Sequence, residues 1–121
     1  MDCIFCKIVN GDIPSYTIYE NDKIKCFLDV NPISNGHTLI IPKKHFTDIN
    51  DIDIDYLKEI NSASKKIVTL INEKIKPDGI RLVQNNGFIQ EVKHYHLHII
   101  PVFKKEKEKK SVEDIFNLLT K

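Results

Sequence analysis

The chain has 121 residues, 41% of them hydrophobic and 29% charged, with a formal net charge of +1 at pH 7. That length holds one domain with one core, and the near-balance of charge excludes broad attraction to nucleic acid or to an anionic membrane. Any recognition of a polyanion must be local.

The longest apolar runs are strand-sized, and Met1-Asp2-Cys3-Ile4-Phe5-Cys6 offers neither a basic region nor a long apolar one, which points to a cytoplasmic protein with no membrane span. Three cysteines, two of them three positions apart, make a poor disulfide framework but a possible metal or redox pair. Residues 3 to 10 read as a short helix closed by Gly11, and Pro14 and Ser15 turn the chain into a first strand, Thr17 to Glu20. Asn21-Asp22 is a turn signal, so Ile24 to Asp29 pairs with that strand as a hairpin. Pro32 to Gly36 breaks it, and Thr38 to Ile41 is a buried strand ending at Pro42.

From Asp55 to about Ile75 the positions Leu57, Ile60, Ser64, Ile67, Ile71 and Ile75 keep a spacing of three or four, which predicts one long amphipathic helix. Pro77-Asp78-Gly79 stops it. Ile80 to Asn85 alternates as a strand, Asn86-Gly87 opens a loop, and a final strand runs from about Val92 to Phe103. Lys104 to Lys110 is a charged tether. Ser111 and Asp114 then resemble a capping box ahead of a short helix with Val112, Ile115, Phe116 and Leu119 on its apolar face. The order predicts an α+β domain: a mostly antiparallel five-stranded sheet, one long helix and short terminal helices.

The chemistry concentrates in His94-Tyr95-His96-Leu97-His98. Three of the five histidines fall within five positions, and a strand puts all three on one face, with Tyr95, Leu97 and Ile99 on the other. At roughly 3.3 Å per residue, His94 and His98 stand about 13 Å apart, too far to share one metal. The row must divide its labour, with one imidazole acting as base or nucleophile while neighbours orient it or hold a charged substrate. Asp29 at a strand end, His37 after Gly36, and Asn85-Asn86-Gly87 with Gln90-Glu91 add amide, glycine and imidazole groups suited to an anion such as phosphate.

His94 to Ile100 matches the His-φ-His-φ-His-φ-φ signature of the histidine triad (HIT) superfamily, and DVNPISNGHTLIIPKKH, Asp29 to His45, resembles its upstream block. The chain thus resembles the Hint-like, bacterial-type branch over about residues 3 to 103, which makes 1–103 a HIT domain with a HIT-like fold and 104–121 a tether and C-terminal helix. The resemblance implies a nucleotide hydrolase or transferase that cleaves nucleoside 5′-phosphoramidates at the α-phosphate. His96 would be the nucleophile that forms a nucleotidyl-histidine, with His98 and His37 holding phosphate oxygens. Asn85 and Gln90 would add hydrogen bonds, Asp29 would bind the ribose, and Phe5, Ile8, Phe27, Leu28 and Val30 would wall a purine base. Glu91 could meet the leaving amine. Two departures stand out: only Phe88 and Ile89 separate Gly87 from Gln90 where relatives carry a longer loop, and Lys93 replaces an aromatic residue.

Cys3, Cys6, His45 and His94 fit a closed tetrahedral zinc site, which is structural in kind. Similar bacterial members and the related uridylyltransferases hold zinc with such a set. A redox role for the cysteine pair lacks the preceding strand it would need, and Cys26 reads as a buried apolar residue. The resemblance also implies a homodimer joined through sheet edges, as an exposed edge strand favours. Alternative readings are dinucleoside polyphosphate hydrolysis, a non-enzymatic nucleotide sensor, and a metalloenzyme that uses His94 and His96 as a chelating pair.

Overall fold

The turn at Asn21-Asp22 closes itself: Asn21 Oδ1 accepts from the backbone N–H groups of Lys23 at 2.9 Å and Ile24 at 3.0 Å. That local bond sets the first hairpin, β1 (Thr17–Glu20) against β2 (Ile24–Leu28). The computed structural model describes residues 3–121. Around the hairpin stand α1 (Ile4–Val9), β3 (Thr38–Pro42), α2 (Ile54–Lys74), β4 (Gly79–Val83), a 3-10 turn at Gly87–Ile89, β5 (Leu97–Val102) and α3 (Val112–Thr120). The strands form one antiparallel sheet in the order β1-β2-β3-β5-β4. This is the α+β architecture the sequence predicts.

Strand alternation gives the sheet two unlike faces. Cys26, Ile40 and Leu97 align across β2, β3 and β5, and with Ile24, Leu28 and Ile99 they meet Ile60, Ala63, Ile67 and Ile71 of α2. On the opposite face Phe27, Leu39 and His98 align, and Phe27, Leu39 and Ile41 pack with Phe5 and Ile8 of α1. The long helix therefore backs the sheet while the short first helix and the histidines share its front.

Within α2 the buried positions are Ile60, Ala63, Ser64, Ile67 and Ile71, and Leu57 and Ile75 lie partly buried at the rim. Lys76 ends the helix in the left-handed region, φ 57°, before Pro77. The α3 cap forms as its spacing predicts, with Ser111 Oγ accepting from Asp114 N at 3.0 Å, and Ile115 and Leu119 enter the main core.

The last strand differs from its prediction, starting at Leu97 and not near Val92. Its pairing with β3 runs only from Thr38↔Ile99 to Ile40↔Leu97. Beyond that point β3 reaches Pro42, which has no N–H to donate, and the Pro42 carbonyl is taken by the His94 ring at 2.9 Å. Along 92–96 one backbone bond, Tyr95 N–H to the Phe46 carbonyl at 2.7 Å, and side-chain bonds replace the ladder, while the alternation survives: Tyr95, Leu97 and Ile99 join the main core, and His94 and His96 contact Phe5 on the front.

Ile71 is fully buried against the sheet. Ile71→Ala should cost about 2–5 kcal/mol of unfolding free energy, read as a lower urea midpoint with an unchanged m-value. A shift below about 1 kcal/mol would contradict the packing described.

Candidate active site and metal centre

Each triad histidine has one ring nitrogen committed, and this fixes what the other can do. The His94 Nε2–H donates to the Pro42 carbonyl, leaving the Nδ1 lone pair free. His96 Nδ1 lies 2.8 Å from the His94 carbonyl, an acceptor only, so Nδ1 carries the proton and Nε2 the lone pair. His37 Nδ1 accepts from Ile33 N at 3.1 Å, so its Nε2–H points at His98 Nδ1, 3.0 Å away. His98 must then carry its own proton on Nε2. The outcome is one imidazole with a bare nitrogen, His96, beside one with an outward N–H, His98, their ring centroids 4.8 Å apart.

Burial keeps these rings neutral. His96, 4% exposed, titrates below the ordinary histidine value because of desolvation, with the His94 carbonyl, Asp29 and Glu91 opposing. Burial likewise lowers His37, against the pull of Asp29, whose Oδ2 lies 3.7 Å from His37 Nε2. It takes His98 down to about 4, helped by His96 and His37 and opposed by Asp29. A neutral His96 is a nucleophile at neutral pH, where an imidazolium would not be.

Cys3, Cys6, His45 and His94 converge, their ligand atoms all within 4.8 Å of one another. His94 Nδ1 lies 3.4 Å from Cys3 Sγ, 3.6 Å from Cys6 Sγ and 3.1 Å from His45 Nδ1, and Cys6 Sγ lies 3.2 Å from His45 Nδ1. A tetrahedral zinc with bonds of about 2.3 Å to sulfur and 2.0–2.1 Å to nitrogen needs ligand separations of roughly 3.3–3.8 Å; the two Cys–His94 separations lie in that range and the two to His45, 3.1 and 3.2 Å, fall just short of it, so the quartet fits with a small outward shift of the His45 ring. Three groups crowd one lone pair, an arrangement that a single cation would satisfy. The bond from His94 Nε2 to Pro42 is the outer contact that holds a ligating imidazole in the right tautomer.

Asp29, His37 and His98 also cluster within ligand distance. The tautomers argue against a metal there: with Nδ1 accepting from Ile33, neutral His37 keeps its proton on the Nε2 that would have to ligate. This trio is built to hand on N–H groups.

Phe5, Ile8 and Phe27 form an apolar wall on the front, and Phe5 stands edge-on to His96 at 5.1 Å between centroids. Leu28 lies in the main core and lines a small cavity beside Asp29 and His37, while Val30 is 66% exposed. Gln90 is buried; its Nε2 donates to the Thr47 carbonyl at 2.7 Å and its Oε1 accepts from Gly87 N, which pins the shortened loop. Asn85 is half-buried, with its carbonyl accepting from Gln84, and Glu91 is exposed on a cavity shared with Cys3, His45 and Lys93. Lys93 turns away to the Gly87 carbonyl. Sequence reasoning missed Ile33, whose backbone N–H sets the His37 tautomer; no side-chain signal announces a backbone donor.

A bare ring nitrogen beside one outward ring N–H and an apolar wall has the chemistry that a nucleophile next to an anion-holding site requires. The HIT domain family model matches residues 10–105, and the chain belongs to the HIT family. It is 44% identical over 108 residues to an uncharacterized HIT-like protein of Methanocaldococcus jannaschii, covering 88% of this chain and 83% of that one. It is 43% identical over 105 residues to an adenosine 5′-monophosphoramidase of Candida albicans, covering 82% and 69%. Among solved structures, a zinc-bound histidine triad family protein from Mycobacterium smegmatis superposes with a TM-score of 0.91 at 33% identity, covering 99% of this chain and 91% of that one.

The depressed pKa of His98 sets a pH dependence of stability. The unfolded chain protonates this ring near pH 6.5 and the folded chain only near about 4, so between those values the unfolded state binds more protons. Stability is full above pH 6.5 and falls as pH drops through that window. The urea midpoint should be lower at pH 5 than at pH 7.5, and His98→Asn should reduce the difference, the buried His37, His94 and His96 supplying what remains; a slope unchanged in the variant would contradict the assignment.

Proposed function

We propose that the protein hydrolyses nucleoside 5′-phosphoramidates at the α-phosphate through a nucleotidyl-His96 intermediate. The observation that carries this reading is the bond from His96 Nδ1–H to the His94 carbonyl, which leaves Nε2 as a neutral, oriented nucleophile. The Nε2 lone pair attacks phosphorus, the P–N bond breaks, and the amine departs with a proton taken from solvent, which the attacking water returns in the second step. Water then attacks the phosphorus, and His96 leaves with its lone pair restored. The His98 Nε2–H, held by His37 through Nδ1, donates to a phosphate oxygen on which charge builds. Phe5, Ile8 and Phe27 take the purine, Asp29 the ribose, and Glu91 the approach of the leaving amine. Gln90 and Asn85 act in this reading by holding the loop over the site. The name of the Candida albicans relative supports the substrate class.

Zinc is the proposed structural ion of the Cys3, Cys6, His45 and His94 quartet, on the ligand geometry above and the zinc-bound relative. When bound, it supplies a closed four-ligand crosslink and no open position for substrate. A homodimer is proposed through the β4 edge, where Leu82 is 53% exposed and, on the adjoining β5, Val102 is 39% exposed, with residues 1–103 as the HIT domain and 104–121 as its appendage. Among the described residues no helix is long and apolar enough to cross a membrane.

Acid-quenched mixtures with an adenosine phosphoramidate should show a transient adduct of one adenylyl group by intact-protein mass spectrometry. His96→Asn should lose the adduct and cut turnover at least about 10³-fold. Product formed without His96 would overturn the covalent mechanism, and binding without product would favour a sensor.

The purified chain should carry one zinc per polypeptide in native mass spectra. Burial and the neighbouring Cys3 thiol raise the free Cys6 thiol to about 11, so binding must release protons and zinc affinity should weaken as pH falls. Cys6→Ser should lose the ion and lower the thermal midpoint; equal zinc content in the variant would remove the quartet from consideration.

A further inference from the structure

The family match ends at residue 105, yet the segment beyond it is bonded to the turn that precedes β3. The Asn35 side chain meets that segment with both ends of its amide: Nδ2 donates to the Glu108 carbonyl at 2.9 Å, and Oδ1 accepts from Lys110 N at 3.0 Å. An amide that spans residues two apart in this way copies one rung of strand pairing. Asn35 lies in the turn before His37, and the turn has little freedom elsewhere. Gly36, at φ +94°, is backed by Ile75 Cδ1 only 2.6 Å from where a Cβ would stand, and Ser34 Oγ donates to the Pro101 carbonyl. The same turn carries Ile33, whose N–H fixes the His37 tautomer.

We propose that Asn35 is a positioning residue: by tying residues 108–110 to the turn at 31–36, it holds Ile33 N–H on His37 Nδ1 and so keeps the His37 Nε2–H aimed at His98. This rests on the reading of His98, oriented by His37, as the group that holds phosphate. The tie is exposed to water, so its loss weakens the aim without unfolding the chain. Asn35→Ala removes the amide, and Lys110→Pro removes the backbone donor while leaving the amide in place.

The experiment is ¹⁵N spectroscopy of the histidine ring nitrogens in the free full-length chain, with steady-state kinetics on an adenosine phosphoramidate in parallel. Wild-type His37 should show a single tautomer with Nδ1 unprotonated, and each variant should move its signals toward a tautomer mixture. Each should also lower kcat about five- to tenfold with KM changed less than about twofold, the signature of misplaced catalytic groups. The double variant should be no worse than the more damaging single, because both cut one tie. Unchanged His37 ring signals in Asn35→Ala, or single losses that multiply in the double variant, would overturn the proposal. If the wild type shows no turnover, the functional reading falls while the ring spectra still decide this one.

Discussion

Most of the front face depends on how one residue, His94, spends its polar atoms. Its side chain is fully buried, and it has no access to water as a substitute partner. Nε2–H goes to the Pro42 carbonyl, Nδ1 faces two thiols and His45, and the backbone carbonyl takes the proton of His96 Nδ1. These three commitments join the end of β3, the first helix and the His96 ring in one residue. A substitution that keeps the volume of the ring but lacks either nitrogen would leave a buried acceptor or a ligand set unmatched.

The proposed anion site has no basic patch, in keeping with the small net charge. Neutral imidazoles supply oriented N–H donors, and their orientation is inherited along a chain from Ile33 N–H through His37 to His98. Desolvation performs two tasks at once. It keeps His96 deprotonated, and in the proposed reaction it would strengthen each remaining dipole toward a phosphate. The apolar wall of Phe5 and Phe27 provides that desolvation, so the residues that would hold a base also tune the chemistry beside it.

Much of the fold was legible because periodicity and turn chemistry agree along the chain. The helix stripe of Ile60, Ser64, Ile67 and Ile71, the Asn21-Asp22 turn and the Ser111 cap each predict what forms. The late start of the final strand was not legible, because alternation across Tyr95, Leu97 and Ile99 reports which way side chains point and not whether the backbone has a partner. The cysteine and histidine quartet was reachable by resemblance, whereas its tautomers needed the Pro42 carbonyl to be placed. Gln90 shows the limit of type-based reasoning. Its amide suits a phosphate in the abstract, yet Thr47 and Gly87 occupy it here.

The quartet also constrains the order of folding. Its members lie at positions 3, 6, 45 and 94, and Cys3 meets His94 across 91 positions of sequence. Contacts of such separation form late, since the closure entropy of the intervening chain must be met by other contacts first. During synthesis the two thiols emerge early and wait for most of the polypeptide before their imidazole partners arrive. Until then the pair can hold a metal only loosely. The completed centre is therefore a record that the N-terminal helix, the third strand and the histidine segment have all reached their native places.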